Sequence, residues 1–497
     1  MLVGLLVQRA ARRFADRVAL DGPQGTQTYA ELGDRVGRLA GGLLGLGLRP
    51  GDRVLDLQPN QNTYVETDLA CCTAGLTRVA LNHRLHPDDW ARIADDCGAT
   101  ALIYDARYAE PSTALREGMQ HVVAIGDAPG TPLDELLDSQ ARHSRARPDD
   151  LVSLNYTSGT TGRPKGVRRT HRVRFASLVN MVADVIGTPP GPADTFLHAG
   201  PITHTSGLFV LPFLAYGARQ LILPAFDPAA VVDAVAHRGA THTALVPTMV
   251  ARLLALDEPL PGLTMLGYAG APMPPEQIRQ AYHRLTPNLV QYYGLVEAIP
   301  PVTVLDANDH AAGLGTDPEL LTSAGRPALG VELSIVDDAG HELPTGEIGE
   351  VVTRGDHVMP GYWGPLGAGK AVDKSGWLHT GDLGRLDGNG RLWLVDRKGD
   401  MIITGGYNVY PREVEDVIAE VPGVREVAVL GLTDPDWGQR IVALYTGTVA
   451  PDDVVAHCRS RLASFKRPKE VRRVDGFPLN PTGKIAKNVL RTDLERA

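Results

Sequence analysis

A glycine- and hydroxyl-rich loop after an apolar, strand-like run constrains the fold of this chain more than any other segment. The run is Leu151–Tyr156, and the loop continues as Tyr156-Thr-Ser-Gly-Thr-Thr-Gly-Arg-Pro-Lys165-Gly-Val167. Glycines let backbone N–H groups approach an anion closely, and serine and threonine hydroxyls add hydrogen-bond donors. Lys165 adds a mobile positive charge. The pattern predicts a strand and then a loop that binds nucleotide phosphates, because a plain surface turn does not need so many hydroxyl groups.

The spacing within this loop differs from that of a Walker motif. A Walker motif has four residues between its first glycine and its Gly-Lys-Ser/Thr end. Here only two threonines separate Gly159 from Gly162, and Lys165 follows after Arg-Pro. The sequence therefore predicts a phosphate loop of another type.

Length and composition indicate a globular protein of several domains. The chain has 497 residues, which corresponds to roughly three domain-sized units. Its 43% hydrophobic and 22% charged residues are ordinary for globular proteins. The net charge of -9, from 58 acidic and 49 basic residues, argues against broad binding to nucleic acids or membrane surfaces. A phosphate-bearing ligand must therefore be held by local positive charge.

The N-terminus and the cysteines predict a cytoplasmic protein. No apolar run approaches the ~20 residues of a membrane-spanning helix. The start, Met1–Val7, is apolar but short and has no basic residues before it, so an amphipathic helix is a better interpretation than a signal peptide. Cys71 and Cys72 are adjacent, and Cys97 and Cys458 stand alone, which fits neither a disulfide scaffold nor a zinc site.

Short strands alternate with helical periods on both sides of the phosphate loop. Before it, the pattern predicts helices at Asp34–Leu48 and Asp88–Cys97 and strands at Arg53–Leu57, Ala101–Tyr104 and Val122–Ile125. After it, the pattern predicts helices at Ala230–Arg238, Met249–Leu256 and Pro275–Leu285 and strands at Ala244–Pro247, Thr264–Ala269 and Leu289–Tyr293. Such alternation indicates parallel sheets covered by helices on both faces. We therefore predict two α/β layered subdomains.

The pattern changes from about Gly330 onward. Short strands at Val331–Val336, Gly349–Thr353 and Leu392–Val395, separated by Gly, Pro and Asp turns, predict a small β subdomain. Later segments mix predicted helices at Pro411–Glu420 and Pro451–Leu462 with strands at Val424–Leu430 and Ile441–Thr446. The prediction is an α/β protein with a large N-terminal domain, residues 1–396, and a small, mobile α+β C-terminal domain, residues 397–497.

Five further segments accompany the phosphate loop in a specific order. They are Gly267-Tyr-Ala-Gly-Ala-Pro272, Gln291-Tyr-Tyr-Gly-Leu-Val-Glu297, Trp377-Leu-His-Thr-Gly-Asp382, Val395-Asp-Arg-Lys-Gly-Asp-Met-Ile-Ile-Thr-Gly-Gly-Tyr-Asn-Val-Tyr-Pro-Arg-Glu-Val-Glu415 and Asn480-Pro-Thr-Gly-Lys484. With the loop, they resemble the motifs of the adenylate-forming superfamily, which includes acyl- and aryl-CoA synthetases, peptide-synthetase adenylation domains and firefly luciferase. One such segment is a weak signal, but six in order are specific, and they extend over essentially the whole chain.

The resemblance implies an enzyme that activates a carboxylic acid with ATP. A carboxylate is a poor acylating agent because its leaving group would be oxide. Attack on the α-phosphorus of ATP forms an acyl-adenylate and releases pyrophosphate. This reaction requires a bound triphosphate, positive charge at the α-phosphate and the exclusion of water.

The resemblance also assigns residues to the nucleotide. The loop members that would hold the β- and γ-phosphates are Thr157, Ser158, Gly159, Thr160, Thr161, Gly162 and Lys165. Glu297, with Thr160, would bind Mg²⁺, a hard cation that prefers oxygen ligands. Tyr293, with Gly294 after it, would flank the adenine, and Gly270-Ala271-Pro272 would form the opposite wall. Asp382 would accept hydrogen bonds from both ribose hydroxyls, and Arg397 would reach the ribose region.

Three further assignments concern the two chemical steps. Lys484 would bridge the substrate carboxylate and the α-phosphate during adenylation. The C-terminal domain of these enzymes then moves, and Gly405 and Gly406 would line a tunnel for the CoA thiol. His204 would gate the acyl pocket between the two steps.

Each assignment has a plainer interpretation that the sequence leaves open. Asp382 could cap a Gly-Asp turn, Glu297 could begin or end a helix, and Lys484 could be a solvated surface lysine. His204 could be a hydrogen-bonded core histidine. The basic run Arg459–Arg473 could face the phosphates of CoA, but a solvated face is the better interpretation.

Two positions depart from the family pattern. Val296 stands where the family usually has a threonine whose hydroxyl touches the α-phosphate. A valine cannot donate, and one such donor contributes ~0.5–1.5 kcal/mol net, so we expect slower adenylation or a compensating donor. Gly399 occupies the hinge position, where Asp or Lys is usual. Glycine leaves the backbone free to rotate there.

The segment Thr404–Glu415 resembles the CoA-ligase version of its motif, and thirteen residues follow Lys484 in this sequence, so we expect no carrier-protein domain. We therefore predict a free-standing, AMP-forming acid–CoA ligase that uses ATP, Mg²⁺ and CoA. Other acceptors stay open, namely a carrier protein or an amine, as does activation of an inorganic anion such as nitrite. A binding module without turnover and an ADP-releasing ligase are further alternatives. A homodimer is expected only from base rates.

The acid is predicted from the walls of its pocket. By position in the family, the walls come from Met181, His204, Thr205, Ser206, Phe209, Tyr268, Ala269, Tyr292 and Leu295. Tyr268 and Tyr292 add bulk, which favours a small aromatic or short-to-medium acyl group over a long fatty chain. We expect a concave, mostly apolar pocket.

Overall fold

A computed structural model describes residues 1–143, 146–158, 164–256, 258–364, 371–479 and 485–496, with only the backbone at Ser158 and Asn408. The chain divides into two compact units. One comprises Met1–Glu332 and Thr353–Leu378, and the other comprises Leu333–Val352 and His379–Ala497. The domain boundary at 396/397 and the mobility of the C-terminal domain stay predictions. Among the described residues, no helix has the length and apolar character needed to cross a membrane.

Two large sheets form the frame of the first unit. Its strands are β1 (Val18–Gly22), β2 (Gly25–Thr28), β3 (Arg53–Leu57), β4 (Thr77–Ala80), β5 (Ala101–Asp105), β6 (His121–Ile125), β7 (Thr131–Pro132), β8 (Leu151–Ser158), β9 (Pro164–Thr170), β10 (Thr195–His198), β11 (Arg219–Ile222), β12 (His242–Leu245), β13 (Met265–Tyr268), β14 (Leu289–Tyr293), β15 (Thr303–Leu305) and β16 (Arg326–Pro327). One sheet has the order β16-β15-β14-β13-β12-β10-β11-β1-β2, and the other has the order β7-β6-β5-β3-β4-β8-β9. Strands β12 to β14 are parallel, as are β3 to β6.

Helices connect these strands, as the alternating pattern predicts. They are α1 (Val3–Arg13), α2 (Tyr29–Gly45), α3 (Asn62–Ala74), α4 (Pro87–Cys97), α5 (Thr113–Glu117), α6 (Leu133–Leu136), α7 (His171–Asn180), α8 (Val210–Ala215), α9 (Pro228–Ala236), α10 (Pro247–Leu254), α11 (Pro275–Arg284) and α12 (Ala307–Gly315). Strand β3 shows why the sheets are interior, since Val54, Leu55 and Leu57 are all fully buried. Apolar side chains on both faces of a strand are typical of a parallel sheet covered by helices.

Helix α2 begins five residues before its predicted start. The Thr28 hydroxyl accepts from the N–H of Glu31, and the Glu31 carboxylate accepts from the N–H of Thr28 at 2.7 Å. This capping box fixes the first turn, and Tyr29 is buried just inside it. The helix ends at Gly45, three residues before the predicted end, and Gly47 beyond it has a φ of 102°. The predicted bounds Asp34–Leu48 are therefore wrong at both ends.

The second unit carries smaller sheets. The strands in or at the border of this unit are β17 (Glu332–Val336), β18 (Gly349–Arg354), β19 (Leu378–Leu386), β20 (Leu392–Arg397), β21 (Ile402–Thr404), β22 (Tyr407–Val409), β23 (Val424–Asp434), β24 (Gly438–Gly447) and β25 (Glu470–Arg473), and the helices are α13 (Pro411–Ala419), α14 (Pro451–Arg461) and α15 (Lys487–Arg496). One sheet has the order β17-β18-β19-β20, and the other has the order β22-β21-β24-β23, with β25 beside β24. The predicted α/β class, with a small β subdomain and a mixed C-terminal part, is confirmed.

Candidate active site

An antiparallel hairpin of β8 and β9 carries the two ends of the predicted phosphate loop. Its register pairs Thr157 with Lys165 and Ser158 with Pro164. Thr157 and Lys165 therefore lie side by side at the base of the loop. The loop residues Gly159, Thr160, Thr161 and Gly162 lie outside the described residues.

Aromatic side chains anchor the base of this hairpin. The Tyr156 hydroxyl donates to Asp96 Oδ2 at 2.5 Å, and Trp363 Nε1 donates to the Asp96 carbonyl at 3.2 Å. The backbone N–H of Trp363 donates to the carbonyl of Gly166 at 2.7 Å. Burial and the contact with Asp96 raise the pKa of Tyr156, so its hydroxyl stays protonated and can donate. These contacts fix the strands from which the loop extends.

Tyr362 joins two of the predicted charged residues. The Lys165 ammonium lies over the Tyr362 ring, 5.4 Å from its centroid, and the Tyr362 hydroxyl donates to Glu297 Oε1 at 2.9 Å. An antiparallel bridge between Val167 and Tyr362 holds the ring in place. Burial, and then the charge of Glu297, raise the pKa of this tyrosine. Sequence reasoning missed Tyr362 because it belongs to none of the six motifs.

The predicted adenine-binding segments follow the neighbouring parallel strands β13 and β14. Gly270 has a φ of 89° and begins the exposed segment Gly270–Pro272. Tyr293 is the last residue of β14, and a Cβ on the next residue, Gly294, would lie 2.8 Å from Pro300 Cγ. The carboxyl ends of parallel strands lie at one edge of the sheet, where ligands bind in open α/β sheets. Glu297 lies in a bend after β14, which excludes its interpretation as a helix end.

His204 lies at the rim of a polar cavity inside the first unit. Its Nε2 is 3.3 Å from the Asn82 amide nitrogen, and its side chain is half-buried just before a 3₁₀ turn, Thr205–Phe209. The cavity of ≈ 80 Å³ is also lined by Arg78, Arg169 and Arg174. His204 is therefore accessible to a small molecule rather than enclosed in the apolar core.

Several residues of the wall predicted for the acid belong to the core of the first unit. Met181, Phe209 and Tyr268 are fully buried, and Tyr292 is 1% exposed. The Phe209 ring stacks on Phe196 with centroids 4.4 Å apart and meets the Tyr292 ring edge-on at 6.0 Å. Of these wall residues, only His204 lines the polar cavity. The cavity beside His204 has both polar and apolar residues in its wall, and the apolar pocket for the acid stays a prediction.

Asp382 and Arg397 are paired in the second unit. They are opposite each other on β19 and β20, and Arg397 Nε lies 3.1 Å from Asp382 Oδ1. Asp382 is 7% exposed, whereas the Arg397 side chain is 64% exposed. Asp382 lies within a strand, so it does not cap a turn. The pair offers an acceptor and a donor side by side, which is what a ribose diol requires.

Gly405 and Gly406 form the turn between β21 and β22. Both have positive φ values, 56° and 81°, which glycine adopts without strain. The N–H of Gly405 donates to the Trp437 carbonyl at 2.8 Å, and a Cβ there would lie 2.9 Å from the Trp437 ring. A Cβ on Gly406 would meet nothing within 4 Å, and the same holds for Gly399 in the turn after β20. Gly406 therefore faces open space within this unit.

The segment 480–484, with Lys484, lies outside the described residues. On either side of it, Leu479 and Ile485 form an isolated antiparallel bridge.

The fold and these residues define a nucleotide-binding protein of the adenylating type, and comparison with known proteins agrees. The model for the AMP-binding enzyme family matches residues 7–363, and the model for the AMP-binding enzyme C-terminal domain matches residues 413–484. The chain therefore belongs to the AMP-binding enzyme family, in the CoA-ligase branch of the adenylate-forming superfamily, as the six motifs predict.

Individual proteins resemble the chain over nearly its whole length. Feruloyl-CoA synthase from an Amycolatopsis species is 38% identical over 474 residues, 93% of each chain. The structure of the amide bond synthetase McbA from Marinactinospora thermotolerans is 31% identical, with a TM-score of 0.89 and 99% of each chain covered. That of o-succinylbenzoate CoA synthetase from Bacillus subtilis, in complex with its acyl-adenylate intermediate, is 29% identical, with a TM-score of 0.86 over 99% of this chain and 98% of that one. Family membership implies the use of ATP, and the CoA-ligase relatives imply CoA.

Proposed function

We infer that this protein is an AMP-forming acid–CoA ligase. The chain belongs to the AMP-binding enzyme family. The observation that carries this function is that Tyr362 contacts Lys165 through its ring and Glu297 through its hydroxyl. A lysine for phosphate and a carboxylate for a hard cation are thereby held together at the base of the predicted phosphate loop.

The reaction has two steps. A carboxylate oxygen of the acid forms a bond with the α-phosphorus of ATP, and the bond from that phosphorus to the β-bridging oxygen breaks, so pyrophosphate leaves. The CoA sulfur, after losing its proton, then attacks the acyl carbon. The carbon–oxygen bond to AMP breaks, and a thioester and AMP are released.

In the first unit, we assign the triphosphate to the hairpin and its loop. Thr157 and Lys165 stand opposite each other at the loop base, and Ser158, Gly159, Thr160, Thr161 and Gly162 complete the loop by resemblance. The adenine belongs beside Tyr293 and Gly294, with Gly270–Pro272 as the other wall. His204, at the rim of the polar cavity, is assigned to the gate for the acid.

Mg²⁺ fits the donor chemistry of Glu297. Its Oε1 accepts from Tyr362, and Oε2 has no hydrogen-bond partner among the described residues. Mg²⁺ usually takes one or two protein carboxylates and fills its remaining positions with water and substrate phosphate oxygens. Glu297, with Thr160, would hold the ion, which would neutralise charge on the phosphates.

In the second unit, we assign the ribose hydroxyls to Asp382 and Arg397. Lys484 is assigned to the carboxylate and the α-phosphate, where it would stabilise the two anions as they approach. Gly405 and Gly406 are assigned to the path of the CoA thiol. A cytoplasmic location and a homodimer stay predictions.

The test is acid-dependent exchange of labelled pyrophosphate into ATP, followed by thioester formation with CoA. With a panel of carboxylic acids, we expect exchange for at least one acid and AMP, not ADP, as the second product. The function would be wrong if no acid supported exchange by protein that binds ATP, as measured by calorimetry.

A further inference from the structure

The polar cavity lies on the same face of the β8–β9 hairpin as the residues at the base of the phosphate loop. On β9, Lys165 and Arg169 are four residues apart, and side chains two or four residues apart in a strand share a face. On β8, Ser153 pairs with Arg169 and Thr157 pairs with Lys165. Ser153 and Arg169 both line the cavity. The hairpin therefore connects the predicted phosphate site directly to this cavity.

Three arginines line the cavity, and two carboxylates neutralise two of them. Arg78 Nε donates to Asp56 Oδ2 at 2.5 Å, and its Nη1 lies 3.4 Å from Asp68 Oδ1. Arg174 binds both oxygens of Asp68, at 2.7 and 3.1 Å. No ion pair joins Arg169 to a carboxylate within the part of the chain that the structure describes. Arg169 is therefore the one of these three arginines without a direct ion pair, although the charges of Glu297 and Asp68 also act on it.

Arg169 itself is incompletely hydrogen-bonded. Its Nη2 donates to the Val296 carbonyl at 3.3 Å, while its Nε is buried and has no partner among the described residues. Burial, and then the charge of Arg174, lower the pKa of Arg169 to about 10, whereas the charges of Glu297 and Asp68 act in the opposite direction. The guanidinium is still charged at neutral pH. A buried guanidinium N–H without an acceptor is unfavourable, and an anion in the cavity would supply one.

The position of the cavity indicates where such an anion would come from. His204, assigned to the gate for the acid, lines the cavity together with Arg169. Arg169 also contacts Val296, the residue before the magnesium-binding candidate Glu297. The cavity is small, ≈ 80 Å³, and apolar side chains such as Leu178 and Leu211 also line its wall. The space beside the gate thus suits a short, charged group.

We propose that the acid substrate is a short dicarboxylic acid whose second carboxylate binds Arg169 in this cavity while the first is activated. A guanidinium binds a carboxylate through two parallel hydrogen bonds, which selects for charge and for planar geometry. This assignment rests on the proposed function and adds the substrate class to it. Arg169 acts as a specificity-determining residue.

The first experiment compares acids that differ only in the second carboxylate. Pyrophosphate exchange is measured with malonate, succinate and glutarate, and with the monomethyl ester of each, which is neutral at that end. A hydrogen-bonded charge should favour at least one diacid over its ester by on the order of 10- to 100-fold in kcat/KM. Exchange at equal rates for every diacid and its ester would overturn the proposal and leave the ligase function standing. Exchange with another carboxylic acid but with none of these diacids would also overturn the proposal, whereas no exchange with any acid of the wider panel would contradict the ligase function.

The second experiment changes Arg169 and a matched neighbour. Arg169→Met removes the charge at similar length, and Arg169→Lys keeps it. Arg168→Met is the control, because Arg168 is the preceding residue on the opposite face of β9 and does not line the cavity. We expect the ratio of diacid to ester to fall to near 1 in Arg169→Met, to recover in part in Arg169→Lys and to stay at the wild-type value in Arg168→Met.

Two results would contradict this assignment even if the wild-type protein prefers diacids. One is an unchanged ratio in a folded Arg169→Met protein, with folding checked by circular dichroism and ATP binding by calorimetry. The other is an equal loss of the ratio in Arg168→Met, which would indicate a general effect of the strand. A further control asks whether the cavity binds any small anion instead of the second carboxylate of a diacid. Acetate or chloride is added alone, and thermal stability is measured. If the anion stabilised the wild type but not Arg169→Met, and the wild type showed no preference for diacids, the substrate assignment would be overturned.

Discussion

Tyr362 contacts two charged side chains through different parts of the same ring. The face of the ring lies beneath the Lys165 ammonium, and the hydroxyl donates to Glu297. A cation over an aromatic face is stabilised by the ring quadrupole, and a hydrogen bond to a carboxylate fixes its orientation. Tyr362 is therefore a positioning residue, whose two contributions can be separated by substitution.

Tyr362→Phe should weaken the response to Mg²⁺. The substitution keeps the ring beneath Lys165 but removes the hydrogen bond to Glu297, which contributes ~0.5–1.5 kcal/mol. We expect the Mg²⁺ concentration for half-maximal pyrophosphate exchange to rise roughly 3- to 10-fold. Tyr282→Phe, on helix α11, is the control, because Tyr282 packs on His283 away from these residues. Superimposable Mg²⁺ titrations of wild type and Tyr362→Phe would contradict the positioning role.

Lys484→Ala should abolish acid-dependent pyrophosphate exchange. Without this ammonium, two anions must approach each other uncompensated, and removal of one such stabilising group costs on the order of 10²–10³-fold in rate. ATP binding, measured by calorimetry, should persist through the residues of the phosphate loop. Lys374→Ala, at an exposed lysine, should exchange like the wild type. Full exchange by Lys484→Ala would show that another group performs this role.

At the scale of elements, a substitution in the turn between β21 and β22 tests the path assigned to the CoA thiol. Gly406→Leu should spare adenylation and block thioester formation, because the added side chain would enter the space assigned to CoA. Leucine at a φ of 81° also strains the backbone by ~1–2 kcal/mol. Gly390→Leu is matched for this strain, since Gly390 has a φ of 72° and open space around its Cβ. Both half-reactions are measured in both variants.

The matched pair separates strain from obstruction. Equal loss of both half-reactions in Gly406→Leu, or the same selective loss in Gly390→Leu, would contradict the assignment of the turn to the thiol path.

The capping box of helix α2 gives an element-scale prediction about stability. Thr28→Ala removes the side-chain acceptor for the N–H of Glu31, which should cost ~1 kcal/mol. We expect hydrogen exchange of the first amides of α2 to become about fivefold faster. Thr170→Ala removes the matching cap of α7, where the hydroxyl accepts from Val173, and should leave α2 unchanged. Unaltered exchange in α2 of Thr28→Ala would show that packing alone holds its first turn.

At the scale of the whole molecule, the property to measure is which molecule accepts the acyl group from the acyl-adenylate. With an acid that supports exchange, we expect CoA to give a thioester and one AMP per product, and small amines to give product at a lower rate. Val296 stands where the family usually has a threonine, so the motif lacks one hydroxyl group. We therefore expect adenylation to be the step that limits turnover. Amide formation at a higher kcat/KM than thioester formation would contradict the CoA assignment.

The alternating pattern of strands and helices was sufficient to predict the α/β architecture. Strand Leu289–Tyr293 has the predicted bounds, because Leu289 and Val290 are buried and β-branched or aromatic residues dominate the segment. The start of helix α2 is set by a local signal that apolar periodicity does not contain, the capping box of Thr28 and Glu31. This Thr-x-x-Glu spacing is itself visible in the sequence.

Other features depend on contacts between distant residues and could not be predicted from sequence. Tyr362 reaches Glu297 across 65 positions, and Asp56 and Asp68 form their ion pairs with Arg78 and Arg174 and not with Arg169. The Tyr268 hydroxyl lies 2.8 Å from His310 Nε2 and its ring is buried, a contact across 42 positions that no local pattern reveals. The order of the motifs predicts residue roles, whereas packing decides which side chains are accessible.

Strand β9 also limits how the substrate range of such an enzyme can evolve. Lys165 and Arg169 are four steps apart on one face, roughly 14 Å between their Cα atoms at about 3.4 Å per residue. Inserting or deleting one residue between them would turn position 169 to the opposite face. New acids can therefore be accommodated by replacing the side chain at 169, but not by lengthening the strand.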